Sequence, residues 1–173
     1  MQTASHSIKK REKPNDVFYT PIPLVKLHLD YIKEYTKPGN IIFDPFFGTG
    51  NYYNLFAEYY PDSTYDFTEI AMERDFFEYD KPVDIIVSNP PYSMLDEVFD
   101  KSASLNPFII SYLIGLQNLT TRRIENMNKN GYYLVKLKML KVWKWFGMSA
   151  IVVFKKGQDG DTNCFDFDRV VYR

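Results

Sequence analysis

The sequence predicts an α/β fold: a mainly parallel central sheet with helices on both faces and an antiparallel edge. Three observations carry this. Strand-like and helix-like segments alternate along most of the 173 residues, the pattern of strand–helix–strand units. The segments "NIIFDPF", "VDIIVS" and "FIISYLIGL" are apolar almost throughout, as strands buried on both faces must be. The late strand segments are joined by short turns, which suits antiparallel pairing.

The elements follow in order. The first fourteen residues are polar and predict a flexible tail, and the "KKREK" cluster within them could touch phosphate. In "TPIPLVKLHLDYIKEYT", Thr20 can cap, and Leu24, Leu27, Tyr31 and Ile32 recur at helical spacing, so a helix is expected from Ile22 to Tyr35. Lys37-Pro38-Gly39 stops it. "NIIFDPF" is a buried strand, and "NYYNLFAEYY" a helix ending before Pro61. "TYDFTEI" alternates like a strand, and "VDIIVS" is the clearest strand of the chain. "LDEVFDKSAS" reads as a helix and "FIISYLIGL" as another buried strand. "TTRRIENMNKNG" reads as a capped helix closed by Gly131. "GYYLVKLKML", "SAIVVFKKG" and "FDRVVYR" supply the late strands.

The length suits one domain with a real core. Hydrophobic residues at 45% and charged residues at 25% are ordinary, but 14 Tyr and 14 Phe are many, and such rings serve both as core and as stacking surfaces. The single cysteine, Cys164, excludes an internal disulfide and a cysteine-based zinc site. Neither His6 nor His28 is spaced for metal binding, so no metal is expected. No apolar run is long enough to span a membrane, and the N-terminus lacks the apolar core of a secretory signal. A cytoplasmic protein is expected. The net charge of -1 argues against a wholly basic nucleic-acid binder. The signs are nonetheless segregated. Between Glu58 and Asp100 only Arg74 and Lys81 are basic, whereas from Arg122 to Lys156 nine bases face only Glu125. That stretch is either one basic face or a set of solvated strand edges and helix ends.

In such sheets ligands bind beyond the carboxyl ends of the strands. Two loops belong there. In "DPFFGTG" an acid, Asp44, ends a strand and a glycine turn leads into a helix. Gly48 and Gly50 let backbone approach a ligand closely, exposed amides at the helix start can receive a polar group, and Asp44 can attract a cation. No Gly-Lys-Ser/Thr follows, so this is a poor phosphate loop. In "NPPY", Asn89 to Tyr92, two prolines end a buried strand in a rigid polar corner.

Together these loops resemble the cofactor and catalytic loops of the S-adenosylmethionine-dependent amino-methyltransferases, specifically the adenine-N6 DNA methyltransferases. Weaker pieces fall in the same order: "NDVFYTP", "DFTEI", "RDFFEYD" and "KVWKWFGMSAIVVFKK", covering roughly Asn15 to Lys156. The resemblance implies a Rossmann-like methyltransferase fold and S-adenosyl-L-methionine as cofactor. It assigns cofactor contacts to Tyr19, Thr20, Asp44, Pro45, Phe46, Gly48, Gly50, Asp75 and Phe76. Glu69 would hold the ribose hydroxyls, with Asp66 as the alternative. It assigns catalysis to Asn89, Pro90, Pro91 and Tyr92. The adenine amine is a poor nucleophile that needs two acceptors aimed at its hydrogens. The Asn89 side-chain oxygen and the Pro90 carbonyl can be these, held by the restricted backbone of two prolines. Tyr92 would stack on the base, with Phe146 either opposite it or plain core, and Arg122, Arg123 and Lys144 would meet phosphate.

A base in a duplex would have to be flipped out, or single strands used. Residues 15–173 are expected to form one methyltransferase domain, with no room for the separate target-recognition region of sequence-specific members. The expectation is therefore short or relaxed specificity, a partner subunit or homodimer supplying recognition, and a bacterial, phage or viral setting. The same corner also suits an RNA adenine or a protein glutamine amide, and the same fold could serve as a non-catalytic regulatory module.

Overall fold

Apolar runs of four to seven residues become the middle of one sheet in the computed structural model, which describes residues 18–142, 147–157 and 164–171. The strands are β1 (Ile41–Asp44), β2 (Thr64–Phe67), β3 (Ile85–Ser88), β4 (Ile109–Gly115), β5 (Tyr132–Lys141), β6 (Ser149–Lys156) and β7 (Cys164–Val171). They lie side by side in the order β2-β1-β3-β4-β6-β5-β7. β2, β1, β3 and β4 pair in parallel. β6 runs antiparallel to both β4 and β5, and β7 is parallel to β5. The reversed strand β6 and its antiparallel pairings lie on the late-strand side of the sheet, with β5 and β7 beyond it.

Both faces are covered, as the uninterrupted apolar strands require. On one face Phe43, Ile86, Ile110, Tyr112 and Phe154 pack with Leu95, Val98 and Phe99 of helix α3 (Leu95–Ser104) and Met127 of α4 (Thr121–Lys129). On the other face Ile42, Ile85, Val87, Ile109 and Val153 pack with Leu24, Val25, Leu29 and Ile32 of α1 (Ile22–Ile32) and Phe56 of α2 (Tyr53–Tyr59). Neighbours in sequence thus alternate between two cores.

Local chemistry explains most boundaries. α1 is capped by Pro21 and not by Thr20, which is buried at the site described below, and the helix tightens into a 3-10 turn over Lys33–Tyr35. Thr120 caps α4 by accepting from the Arg123 amide, and Gly131 takes the positive φ that follows the helix.

Three bases of the run from Arg122 to Lys156 are paired with acids from other elements. Arg122 and Arg123 both bind Asp96 at the start of α3, and Arg123 also donates to the Asn118 carbonyl at 2.7 Å. Lys136 on β5 reaches the Tyr31 carbonyl at 2.9 Å and pairs with Glu34. These counter-charges come from elements distant in sequence, so at these three positions the segregation of signs along the chain is undone in space.

Candidate active site

β1 and β3 are neighbours, with Phe43 opposite Ile86, so their carboxyl ends open side by side. Asp44 Oδ1 accepts from the Ser88 hydroxyl at 2.6 Å and from the Phe46 amide at 3.2 Å, joining the two strand tips directly. The turn after β1 is also tied to the end of β2. Thr68 donates from its amide to the Asp44 carbonyl at 3.0 Å and from its hydroxyl to the Pro45 carbonyl at 2.7 Å, and Phe47 returns a bond to the Thr68 carbonyl.

Over these tips lies a cavity of about 370 Å³, within the range of small-molecule sites. Its wall contains Tyr19, Thr20, Pro45, Phe46, Gly48, Glu69, Asp75, Phe76, Asn89 and Pro91, which the sequence brought forward, together with Asn51, Tyr52, Ile70, Met72 and Met94, which it did not. The aromatic end is built from Phe76 and Phe46, whose rings meet edge-on at 5.2 Å. Glu69 accepts from the Gly48 amide at 2.7 Å and the Ala71 amide at 3.1 Å. Asp75 accepts from the Phe77 amide at 2.9 Å. Glu69 and Asp75 thus cap successive 3-10 turns, Ile70–Met72 and Phe76–Glu78, while presenting carboxylates to one space.

The alternative acid, Asp66, is engaged elsewhere. It pairs with Arg74 and Lys81 and accepts from the Tyr79 hydroxyl. Partial burial opposes its ionisation, but the Phe67 amide, Arg74 and Tyr79 outweigh that and hold its carboxyl below the ordinary range. Asp66 does not line the cavity, and Glu69 does.

Asp44, Gly50, Pro90 and Tyr92 also stand outside the lining. Asp44 is fully buried, and burial lifts its carboxyl to about 7 against the opposing bond from Ser88. Its Oδ2 has no hydrogen-bond partner among the described residues. Gly50 serves the turn itself. It has φ of 80°, and a Cβ there would lie 2.7 Å from the Phe47 ring and 2.8 Å from the Asn54 amide. Tyr92 packs against the core under α3. Phe146 and Lys144 lie outside the described residues.

Asn89 is the most informative side chain. Its Nδ2 donates to the Phe18 carbonyl at 2.8 Å, which fixes the amide's orientation. Its Oδ1 is buried without a hydrogen-bond partner among the described residues. A buried acceptor in that state is costly unless something else satisfies it.

Beneath the cavity, Ser111 donates its proton to the Val152 carbonyl at 3.1 Å, so it accepts from His28 Nε2 at 2.7 Å. The neutral ring then offers Nδ1 to the Tyr52 hydroxyl at 2.8 Å. Burial lowers His28 to about 3. His28 is therefore a structural group, as its place in the helix pattern suggests, and it anchors a tyrosine of the cavity wall.

The architecture matches solved structures over most of its length. A precorrin-6y C5,15-methyltransferase from Geobacter metallireducens superposes with a TM-score of 0.59 at 14% identity, covering 83% of this chain and 93% of that one. This is a Rossmann-like methyltransferase fold. A chain of the E. cuniculi Mtq2–Trm112 complex, responsible for methylation of the eRF1 translation termination factor, gives 0.57 at 17%, covering 82% and 99%. The methyltransferase subunit of a type I restriction-modification system from Streptococcus thermophilus gives 0.60 at 15%, covering 87% of this chain but 47% of that one. No protein-family model and no curated protein matches the chain.

The residues present fit S-adenosylmethionine. The molecule carries an adenine, a ribose diol and a methionine end with a cationic amine. The cavity offers an aromatic end at Phe46 and Phe76, a carboxylate at Glu69, a second at Asp75, and backbone room at Gly48 beside Tyr19. Asp44, whose Oδ2 is buried without a hydrogen-bond partner among the described residues, lies outside the lining, next in sequence to Pro45 of the wall.

Proposed function

We propose that this protein transfers a methyl group from S-adenosylmethionine to the exocyclic N6 amine of adenine in DNA. The supporting observation is Asn89: one end of its amide is tethered to the Phe18 carbonyl, and the other is left as a buried acceptor beside the cavity. In this reading Glu69 holds the ribose hydroxyls, Asp75 and Phe76 the adenine of the cofactor, and Tyr19, Thr20, Gly48 and Asp44 the methionine end. The bound cofactor supplies a methyl on a sulfonium, already activated for transfer. Asn89 Oδ1 and the Pro90 carbonyl would accept hydrogen bonds from the two hydrogens of the target amine. That draws its nitrogen toward tetrahedral geometry and exposes its lone pair, so the contribution of the corner is positioning. One of the two hydrogens is released to solvent as a proton once the methyl has left sulfur for the nitrogen. Tyr92 and Phe146 are assigned to stacking on the target base.

The likeness to restriction-modification subunits, of which this chain spans about half, supports DNA as substrate and a partner subunit or second copy for target recognition. Because Arg122 and Arg123 are both held by Asp96, phosphate contact by them would have to compete with that pair. A second reading, methylation of a protein glutamine amide, is favoured by the coverage of 99% of the E. cuniculi chain and needs the same two acceptors.

The test is methyl incorporation into single-stranded DNA, duplex DNA, RNA and peptide, with methylated adenines mapped after expression in a methylation-free host. Asn89→Ala should lose turnover by a factor of about 10² or more while retaining cofactor affinity. Undiminished turnover in that variant would remove Asn89 from the chemistry, and incorporation into peptide alone would replace DNA by the second reading.

A further inference from the structure

The segment Phe18–Tyr19–Thr20 crosses the cavity as a strap and is held at both ends by side-chain amides from different loops. Asn51, just after the glycine turn, donates from Nδ2 to the Thr20 carbonyl at 2.8 Å. Asn89, at the proline corner, donates from Nδ2 to the Phe18 carbonyl at 2.8 Å. The Thr20 hydroxyl is engaged as well, on Tyr52, which His28 holds from below. Asn51 is itself oriented, since its Oδ1 accepts from the Thr49 hydroxyl at 3.1 Å and only its NH2 group is left to face the strap. The two loops meet over the cavity through three residues of backbone.

We infer that Asn51 is a positioning residue for the Asn89 amide. By holding the Thr20 carbonyl it places the Phe18 carbonyl two residues earlier. That carbonyl decides which end of the Asn89 amide points into the wall and which is left as acceptor. A primary amide that lost this tether could rotate its ends, and an NH2 group presented to another amine is no acceptor. The glycine loop thereby sets the orientation of the catalytic corner, so the wall of the cofactor space and the acceptor of the target amine are mechanically one unit. The kinetic half of the test rests on the methyl-transfer reading; the spectroscopic half does not.

Asn51→Asp keeps size and the Thr49 bond but removes the donor. In ¹⁵N-labelled protein, with side-chain amide signals assigned by single substitution, Asn51→Asp should shift the Asn89 NH2 signal. It should also speed exchange of those hydrogens with water by about tenfold or more as the bond to Phe18 opens. Asn51→Ser, neutral and smaller, should do the same and serves if the aspartate variant does not fold. An Asn89 signal unchanged in position and exchange overturns the inference, whether or not the protein methylates anything. With an active acceptor, Asn51→Asp should lower kcat by about tenfold or more with less than about threefold change in cofactor affinity. The double variant Asn51→Asp, Asn89→Ala should be no slower than Asn89→Ala alone, because both act through one amide. Multiplying losses would mean that Asn51 acts independently. A coupled Asn89 signal in a wild-type protein without methyl transfer would sink the proposed reaction and leave this inference standing.

Discussion

Asp44→Asn should stabilise the protein at alkaline pH relative to acid pH. Burial lifts the Asp44 carboxyl from its ordinary 3.8 to about 7. Between those values the native state keeps a proton that the unfolded chain has lost, so this group's contribution to stability is complete below about pH 4. It declines as pH rises and is gone above about pH 7. The decline is about 1.4 kcal/mol for each pH unit, on the order of 4 kcal/mol across the window. Asparagine keeps the acceptor used by Ser88 and Phe46 but cannot ionise. Its NH2 would stand where Oδ2 now lacks a partner, at a pH-independent cost of about 1–3 kcal/mol. The variant should therefore be less stable than wild type near pH 4.5 and equal or more stable near pH 8.5. Urea denaturation at both values measures this, and the difference between the proteins cancels every other titrating group that the substitution does not disturb. A stability difference that is the same at both pH values would show that Asp44 is already ionised in the native protein. Gain of stability at the site where a cationic ligand group is proposed to dock would be the usual trade between stability and function.

His28→Leu should behave oppositely. Wild type loses stability as pH falls from 6.5 toward 3 because the unfolded imidazole charges and the buried one resists. The variant should lack that acid slope, but it leaves Tyr52 and Ser111 without their bonds to the ring and should cost about 2–3 kcal/mol at pH 7.5, read by the same denaturation. Gly50→Ala should cost about 2 kcal/mol or more, from a positive φ and a Cβ driven into Phe47 and Asn54. A neutral thermal shift would mean that the turn relaxes freely. Glu69→Gln should weaken binding of S-adenosylhomocysteine by about tenfold, and Asp66→Asn by less than about twofold. Calorimetry giving the reverse order would move the ribose to Asp66.

Much of the molecule is determined by its sequence alone. The strands "IIFD", "IIVS" and "IISYLIG" are apolar at most positions, and burial on both faces satisfies that. α3 appears with its expected bounds because its apolar spacing and first-turn acids agree with one another. The two strand-end loops also announce themselves, since glycine turns and consecutive prolines restrict backbone locally. Charge pairing and side-chain direction belong to the tertiary structure. Arg122, Arg123 and Lys136 look unopposed along the chain because Asp96 and Glu34 come from other elements. Asp66 and Glu69 are equivalent on paper, and only packing turns one toward Arg74 and the other toward the cavity. Thr20 has the chemistry of a helix cap, yet Asn51 and Tyr52 claim it for the strap. Pattern in a sequence reports what each residue must bury, whereas which polar group meets which depends on chain crossings that bring residue 18 to residue 89.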